Sequence, residues 1–171
     1  MSVITNTTVL SNFAAVDALG RLHELYGEVF LSTEVYREIQ HGLEEGYTFY
    51  SGIEKILHPM TEGGWLRLTS LRDEREVGAF SSMPGRLHAG EASSLAIALH
   101  RSWLFLTDDK AARSHAAERK IAVSGTLGCL ILGVERRLWT LEHANGLLNR
   151  IVASGFHSPV KELSGFVKKD E

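Results

Sequence analysis

The chain has 171 residues and a formal net charge of −3, and 44% of its residues are hydrophobic. This length suffices for a compact domain with a buried core, and the composition excludes disordered and collagen-like chains. The single cysteine excludes an internal disulfide framework, and no stretch reaches the roughly 20 apolar residues of a membrane helix. We therefore expect a soluble, cytoplasmic protein with one domain over residues 1–171. Its mildly acidic charge disfavours salt-driven nucleic-acid binding but is compatible with acids that hold metal ions.

Short apolar runs that are typical of strands alternate along the chain with apolar residues at helical spacing. In chain order we predict a strand over 3–4, helices over 9–16 and 19–25, a strand over 29–31, helices over 35–43 and 47–60, a strand over 65–69, a helix or loop over 72–83, a helix over 92–99, a strand over 103–106, a helix over 108–120, a strand over 121–123, and helices over 125–136, 141–153 and 159–171. This alternation predicts an α/β domain with a mostly parallel sheet and right-handed crossovers.

Polar residues follow the predicted strands at the points where ligands bind in a parallel sheet, outside the carboxyl ends of the strands. Two predicted helices bring further acids toward the same edge: Glu38 lies on the helix after the strand over 29–31, and Glu91 lies at the start of the helix that begins Gly90-Glu91-Ala92. Carboxylate and amide oxygens without histidine or cysteine suit Mg²⁺ or Mn²⁺. The candidate site residues are Asn6, Thr7, Thr8, Glu38, Glu91, Thr107, Asp108 and Asp109.

Each acid also has a purely structural interpretation. Asp108, Asp109 and Glu91 stand in predicted first helical turns, where negative charge stabilises the helix dipole. Glu38 is typical of a solvated helix surface, and Asn6 is an ordinary helix cap. A site is favoured by the occurrence of several acids at strand ends, not by any one of them.

Five blocks of the sequence resemble, in order, the PIN domain family, and most of all its DUF3368 group of VapC-like proteins. The blocks are residues 3–10 (VITNTTVL), 35–39 (VYREI), 90–96 (GEASSLA), 106–113 (LTDDKAAR) and 124–128 (SGTLG). The resemblance covers the chain except residues 42–85. It implies a three-layer α/β/α sandwich whose mostly parallel central sheet has about five strands.

The same resemblance implies an Mg²⁺- or Mn²⁺-dependent ribonuclease that hydrolyses RNA with a metal-activated water. It also implies the toxin of a toxin–antitoxin pair, a homodimer that is neutralised by a small antitoxin, with no membrane partner. The family's motifs fall on Asn6, Glu38, Glu91 and the Thr-x-Asp of Thr107 and Asp109. The implied roles are catalysis by Asn6, Glu38, Glu91 and Asp109, metal binding by these four and Asp108, and ligand orientation by Thr7, Thr8 and Thr107.

Asn6 departs from the family pattern because it stands where the first acid is expected. An amide oxygen binds a metal without charge, so the hold on a divalent ion should weaken. Two interpretations stay open: a working ribonuclease, or a PIN-fold binding or regulatory module with weak or no nuclease activity. A hydrolase with an aspartate nucleophile ranks last, because it needs an Asp at the position of Asn6.

Overall fold

The computed structural model describes residues 1–168 and has one parallel sheet. Within the described residues the sheet has six strands in the order β3-β4-β2-β1-β5-β6. The strands are β1 Val3–Thr5, β2 Val29–Ser32, β3 Leu57–His58, β4 Leu66–Thr69, β5 Leu104–Leu106 and β6 Val123–Ser124. Because β2 and β5 lie on opposite sides of β1, the strand order reverses at β1, where ligands bind in such sheets.

Eight α-helices in the described part of the chain cover the two faces of this sheet. They are α1 Thr7–Ala14, α2 Gly20–Tyr26, α3 Thr33–Glu44, α4 Glu74–Ser81, α5 Ala89–Arg101, α6 Lys110–Glu118, α7 Thr126–Glu135 and α8 Leu141–Ala153. Side chains cap several of them: Ser32 Oγ, for example, accepts a hydrogen bond from the Val35 amide at the start of α3.

Two clusters of buried side chains lie on opposite faces of the sheet. Ile4 and Phe105 pack with the apolar residues of α5 and α6. Val3 and Leu106 pack on the other side with α1, α7 and α8. Neighbouring strand residues alternate between the faces because the strand repeat is two residues. The predicted three-layer α/β/α sandwich is therefore confirmed, with every strand parallel and one strand more than the expected five.

The predicted helix over 47–60 is wrong. The segment forms the 3₁₀ turns Thr48–Tyr50 and Ile53–Lys55 and then β3, which supplies the additional strand. Gly46 and Gly52 have φ values of +97° and +79°, a left-handed conformation that interrupts an α-helix. Segment 42–85 thus extends one edge of the sheet.

Two further predictions need correction. The strand expected over 121–123 is Val123–Ser124, because its position follows the pairing of Phe105 with Val123. The helix expected over 159–171 is absent from 159–168, and residues 169–171 lie outside the described part of the chain. Pro159 has no amide hydrogen to donate, and the Ser158 hydroxyl accepts from the Val160 amide in a local turn. Within residues 1–168, no helix is long and apolar enough to cross a membrane.

Candidate functional site

The candidate site begins where β1 and β5 end side by side. Thr5 pairs with Leu106, so the next residues, Asn6 and Thr107, are neighbours. Asn6 is fully buried, and its Nδ2 donates to Thr107 Oγ1 at 2.8 Å. Its Oδ1 accepts from the Thr8 amide at 3.1 Å and from the Thr8 hydroxyl at 2.8 Å. Asn6 therefore caps α1 and joins β1 to β5, and its amide oxygen already accepts two hydrogen bonds.

The hydroxyl groups of Thr8 and Thr107 hold the backbone that follows β5. Thr8 Oγ1 accepts from the Asp108 amide at 2.9 Å, and Thr107 Oγ1 accepts from the Asp109 amide at 3.1 Å. These two threonines thus position the aspartate pair. Thr7 is half-buried, and its carbonyl accepts from the Tyr50 hydroxyl at 3.4 Å. Among the described residues, its own hydroxyl makes no hydrogen bond.

The two neighbouring aspartates have different surroundings. Asp108 Oδ1 accepts from the Thr126 amide at 2.9 Å, and its Oδ2 accepts from Thr126 Oγ1 at 2.5 Å and Asn12 Nδ2 at 3.1 Å. Asp109 Oδ1 accepts from the Ala112 amide at 2.7 Å, which caps α6. Asp109 Oδ2 accepts no hydrogen bond from residues 1–168. Asp108 therefore anchors α7, whereas Asp109 keeps one oxygen available.

Two carboxylates lie at the N-terminus of α5. One is that of Glu38, which extends from α3, and the other is that of Glu91, in the first turn of α5. Glu38 Oε1 accepts from the Gly90 amide at 2.9 Å, and Glu91 Oε2 accepts from the His88 amide at 3.1 Å. A Cβ at position 90 would lie 2.7 and 2.8 Å from the two Glu38 carboxylate oxygens. Glycine at this position therefore allows the carboxylate of α3 to reach the start of α5. The positive end of the α5 dipole favours both negative charges.

The carboxylates of Glu38, Glu91 and Asp109 are coupled electrostatically. Burial raises the pKa of Glu91 above its usual range, and the negative charges of Asp109 and Glu38 raise it further. No lysine or arginine in residues 1–168 forms an ion pair with these three acids. We call them the acidic triad; no lysine or arginine of the described residues pairs with it, and the positive charge of His88 offsets the rise in the Glu91 pKa only in part.

The carboxylate oxygens of the acidic triad are suitable ligands for a divalent cation, but the three side chains do not converge on one point. Each carboxylate has one oxygen in a hydrogen bond and the other without one in the described part of the chain. Such oxygens are the ligands that Mg²⁺ and Mn²⁺ prefer. No three histidine, cysteine, aspartate or glutamate side chains within residues 1–168 are arranged to hold a metal ion. Metal binding would therefore require rotation of the carboxylate side chains toward one another.

The sequence argument missed Asn12, Thr126 and two glycines. Asn12 Nδ2 donates to Asp108 and, at 3.0 Å, to Thr126 Oγ1. Its position four residues after Thr8 on α1 places it on the same helix face, a signal the sequence contains. Gly125 is required because a Cβ there would collide with Asp108 Oδ1 and would lie 3.2 Å from the Thr107 carbonyl oxygen. That contact depends on how β5 and α7 come together and has no local sequence signal.

Comparison with protein-family models identifies one match over almost the whole chain. The model of the DUF3368 family, described as a PIN domain, matches residues 2–171. No curated protein and no solved structure matches the chain.

Proposed function

Since the chain belongs to the PIN domain family, which has a nuclease fold, we propose that it is a divalent-metal-dependent ribonuclease. The observation that carries this proposal is the acidic triad at the switch point of the sheet. Three neighbouring carboxylates, one of them buried and none paired with a lysine or arginine of the described residues, cost free energy unless a bound cation compensates their charge. A buried acid whose pKa is raised, as that of Glu91 is, is a candidate for a functional site when it lies at a strand-end crevice.

In this proposal Glu38, Glu91 and Asp109 hold the ion through the oxygens that the helix N-termini leave free. When bound, a divalent ion activates a water molecule and neutralises charge on the phosphoryl oxygens. The Thr7 hydroxyl is available to donate to the substrate phosphate, while Thr8 and Thr107 position the aspartates. The ligand roles of Asn6 and Asp108 stay predictions, and each requires the loss of a hydrogen bond described above.

The direct test is cleavage of a mixed RNA pool in Mn²⁺, with EDTA as the metal-free control. Asp109→Asn should lower the cleavage rate at least about 100-fold, since the contribution of a bound metal is several kcal/mol. Asn is an equally good helix cap, so the fold should persist. Asp73→Asn is the matched control, because Asp73 caps α4 in the same way through the Arg75 and Glu76 amides. Equal cleavage by both variants, or EDTA-resistant cleavage, would contradict the proposal.

A second candidate is a PIN-fold binding or regulatory module without nuclease activity. It is favoured by the occupied amide oxygen of Asn6 and by the open arrangement of the acids in residues 1–168. Asn6→Asp discriminates between the two candidates. The Thr107 hydroxyl can rotate to donate to the new carboxylate, so the substitution is compatible with the site.

Three outcomes separate the candidates. Cleavage by the unaltered chain indicates a working nuclease with an amide in the first position. Cleavage by Asn6→Asp alone indicates a site disabled at one residue. If neither protein cleaves RNA and a calorimetric titration detects no Mn²⁺ binding, the binding module is supported. If the unaltered chain binds Mn²⁺ in this titration and the Glu91→Gln variant does not, the result argues against the binding module.

We further propose that the ribonuclease is the toxin of a toxin–antitoxin pair, a homodimer neutralised by a small antitoxin protein. The support is its place in the PIN domain family and its resemblance to VapC-like proteins. Induced expression should arrest the growth of a host that lacks the antitoxin, and Asp109→Asn should not. Unchanged growth of a host that expresses the active enzyme would contradict the toxin role. Light scattering of the purified protein measures its molar mass and so tests the proposed dimer.

A further inference from the structure

A groove borders the acidic triad and extends along α6 to residues that have no role in the proposed reaction. Three adjoining cavities of about 620, 360 and 400 Å³ share Asp108 in their linings. Each lies in the range of cavities that hold small ligands, about 300–1,000 Å³. The 400 Å³ cavity also includes Asp109, so this surface is continuous with the proposed active site. We name it the α6 groove; its walls carry Lys110 and Arg113 on one side and Phe156 and His157 on the other.

The α6 groove contains cations that the fold does not neutralise. Lys110 and Arg113 are exposed on α6, and no ion pair within residues 1–168 includes either of them. The Arg113 guanidinium donates to the Thr107 carbonyl at 3.0 Å, which directs it toward the carboxyl edge of β5. Asp108 adds an acid to the groove, but its two oxygens are already hydrogen-bonded to Thr126 and Asn12. A positive wall thus stands beside the acidic triad in a chain whose net charge is −3.

The opposite wall presents an aromatic ring. Gly155 has φ +118° after the end of α8, a conformation that favours glycine, and it directs the chain to Phe156 and His157. Phe156 is half-buried: it packs against the core and also lines the cavities of 360 and 400 Å³. An aromatic side chain anchored on its inner side and open to a cationic groove is typical of a platform for stacking a base.

We propose that the α6 groove binds unpaired RNA, with Lys110 and Arg113 at the phosphates and Phe156 stacked on a base. This inference rests on the proposed ribonuclease function and deepens it by assigning Lys110, Arg113 and Phe156 to a subsite for the RNA strand beside the acidic triad. A base can stack on a side chain only when its face is free, which a duplex does not allow. The groove then leads the backbone from Phe156 past Asp108 to the acidic triad.

The test measures binding separately from cleavage. Fluorescence anisotropy of a short labelled RNA without secondary structure, in EDTA, reports affinity for an uncut strand. Phe156→Leu keeps the apolar packing and removes the ring, and we expect about a tenfold weaker affinity. Phe156→Tyr keeps a ring and should restore the affinity. Phe166→Leu is the matched control, because Phe166 is 55% exposed and lines none of the three cavities.

Lys110→Gln should reduce the slope of log affinity against log salt by about 0.7, the value for one phosphate contact to a single strand. Lys55→Gln, an exposed lysine outside the groove, should leave the slope unchanged. A duplex of the same sequence should bind more weakly than the single strand. The unfolding midpoint of each variant checks that the fold persists.

The outcomes distinguish this inference from the ribonuclease proposal. If the unaltered chain cleaves RNA while Phe156→Leu and Lys110→Gln bind it normally, the groove assignment is wrong and the nuclease stands. Equal affinity for duplex and single strand, or no RNA binding, also overturns the groove assignment. Groove-dependent binding without metal-dependent cleavage supports the groove and refutes the nuclease.

Discussion

The buried carboxylates at the two ends of helix α5 have opposite electrostatic surroundings. At its N-terminus, Glu91 is 8% exposed and faces the charges of Glu38 and Asp109, and its pKa is raised mainly by burial. At its C-terminus, Arg101 binds Glu76, which is 3% exposed, through contacts of 2.6 and 2.8 Å. The hydrogen bond from Arg101 is the main cause that lowers the pKa of Glu76.

This difference in surroundings distinguishes Glu76, which stabilises the fold, from Glu91 and its neighbouring acids, which are available to a ligand. The Glu76 carboxylate also accepts from the Arg72 amide at 2.7 Å, so its charge is neutralised and its oxygens are hydrogen-bonded. Glu91 has a single hydrogen bond, from the His88 amide, and no cation paired with it in the described residues. An uncompensated buried charge costs free energy. The N-terminal end of α5 is therefore the end suited to binding a cation.

The largest expected effect comes from removing the cation at the structural end. Arg101→Met leaves Glu76 buried without its partner, and we expect a loss of about 3–5 kcal/mol in the free energy of unfolding. Urea denaturation measures this loss. Arg75→Met is the control, since the Arg75–Asp73 pair is exposed and should contribute less than about 1 kcal/mol. Similar losses for both variants would contradict the assignment of Arg101.

A smaller effect is expected from Gly125→Ala, which tests the anchor of α7. The added methyl group would collide with Asp108, so we expect a loss of about 1–3 kcal/mol in the free energy of unfolding. Gly146→Ala in α8 meets no atom within 4 Å and should instead stabilise the fold, by up to about 1 kcal/mol. Equal shifts of the urea midpoint for the two variants would show that Asp108 is not held as described.

Asn12→Ala should cost about 1 kcal/mol, because it removes the hydrogen bonds to Asp108 and Thr126. RNA cleavage should fall less than in Asp109→Asn, since Asp108 retains both bonds from Thr126. The comparison of cleavage rates at equal folded fraction measures this difference. A loss of cleavage as large as that of Asp109→Asn would contradict this prediction and show that the reaction depends on the contacts of Asn12.

The smallest expected effect, that of Glu91→Gln, is a gain in the free energy of unfolding and not a loss. Because the pKa of Glu91 is raised in the folded state, the folded chain loses stability as pH rises from the ordinary glutamate pKa of about 4.5 through the raised pKa. Glu91→Gln removes this loss, so at neutral pH it should be slightly more stable than the unaltered chain, with the advantage shrinking in acid. Glu76 behaves oppositely: its stabilising contribution is present above the ordinary glutamate pKa of about 4.5 and is lost as pH falls from there through the lowered pKa of the folded state. Urea unfolding across this pH range tests both signs.

Local patterns in the sequence determined much of the fold. Apolar runs predicted β1, β2, β4 and β5, and helical spacing predicted α2, α3, α7 and α8 close to their observed bounds. Capping is also local, because the side chain of Ser32 bonds an amide three residues later. Helical spacing failed over 47–60 because Gly52 has a positive φ and because Leu57 and His58 pair with β4, a contact that a local pattern does not encode. The placement of candidate acids at strand ends followed from the strand assignments together with the parallel topology.

Only the tertiary structure decided which acids stay available. Asp108 and Asp109 are adjacent in sequence, yet Asp108 is bonded to Thr126, 18 residues away, while Asp109 caps its own helix. Glu38 reaches the Gly90 amide across 52 residues, a contact that no local pattern encodes. Helical periodicity and capping act over three or four residues, whereas these contacts depend on strand order and on the space that each glycine leaves. The sequence thus determined which elements carry the acids, and the packing of those elements determined each carboxylate's partners.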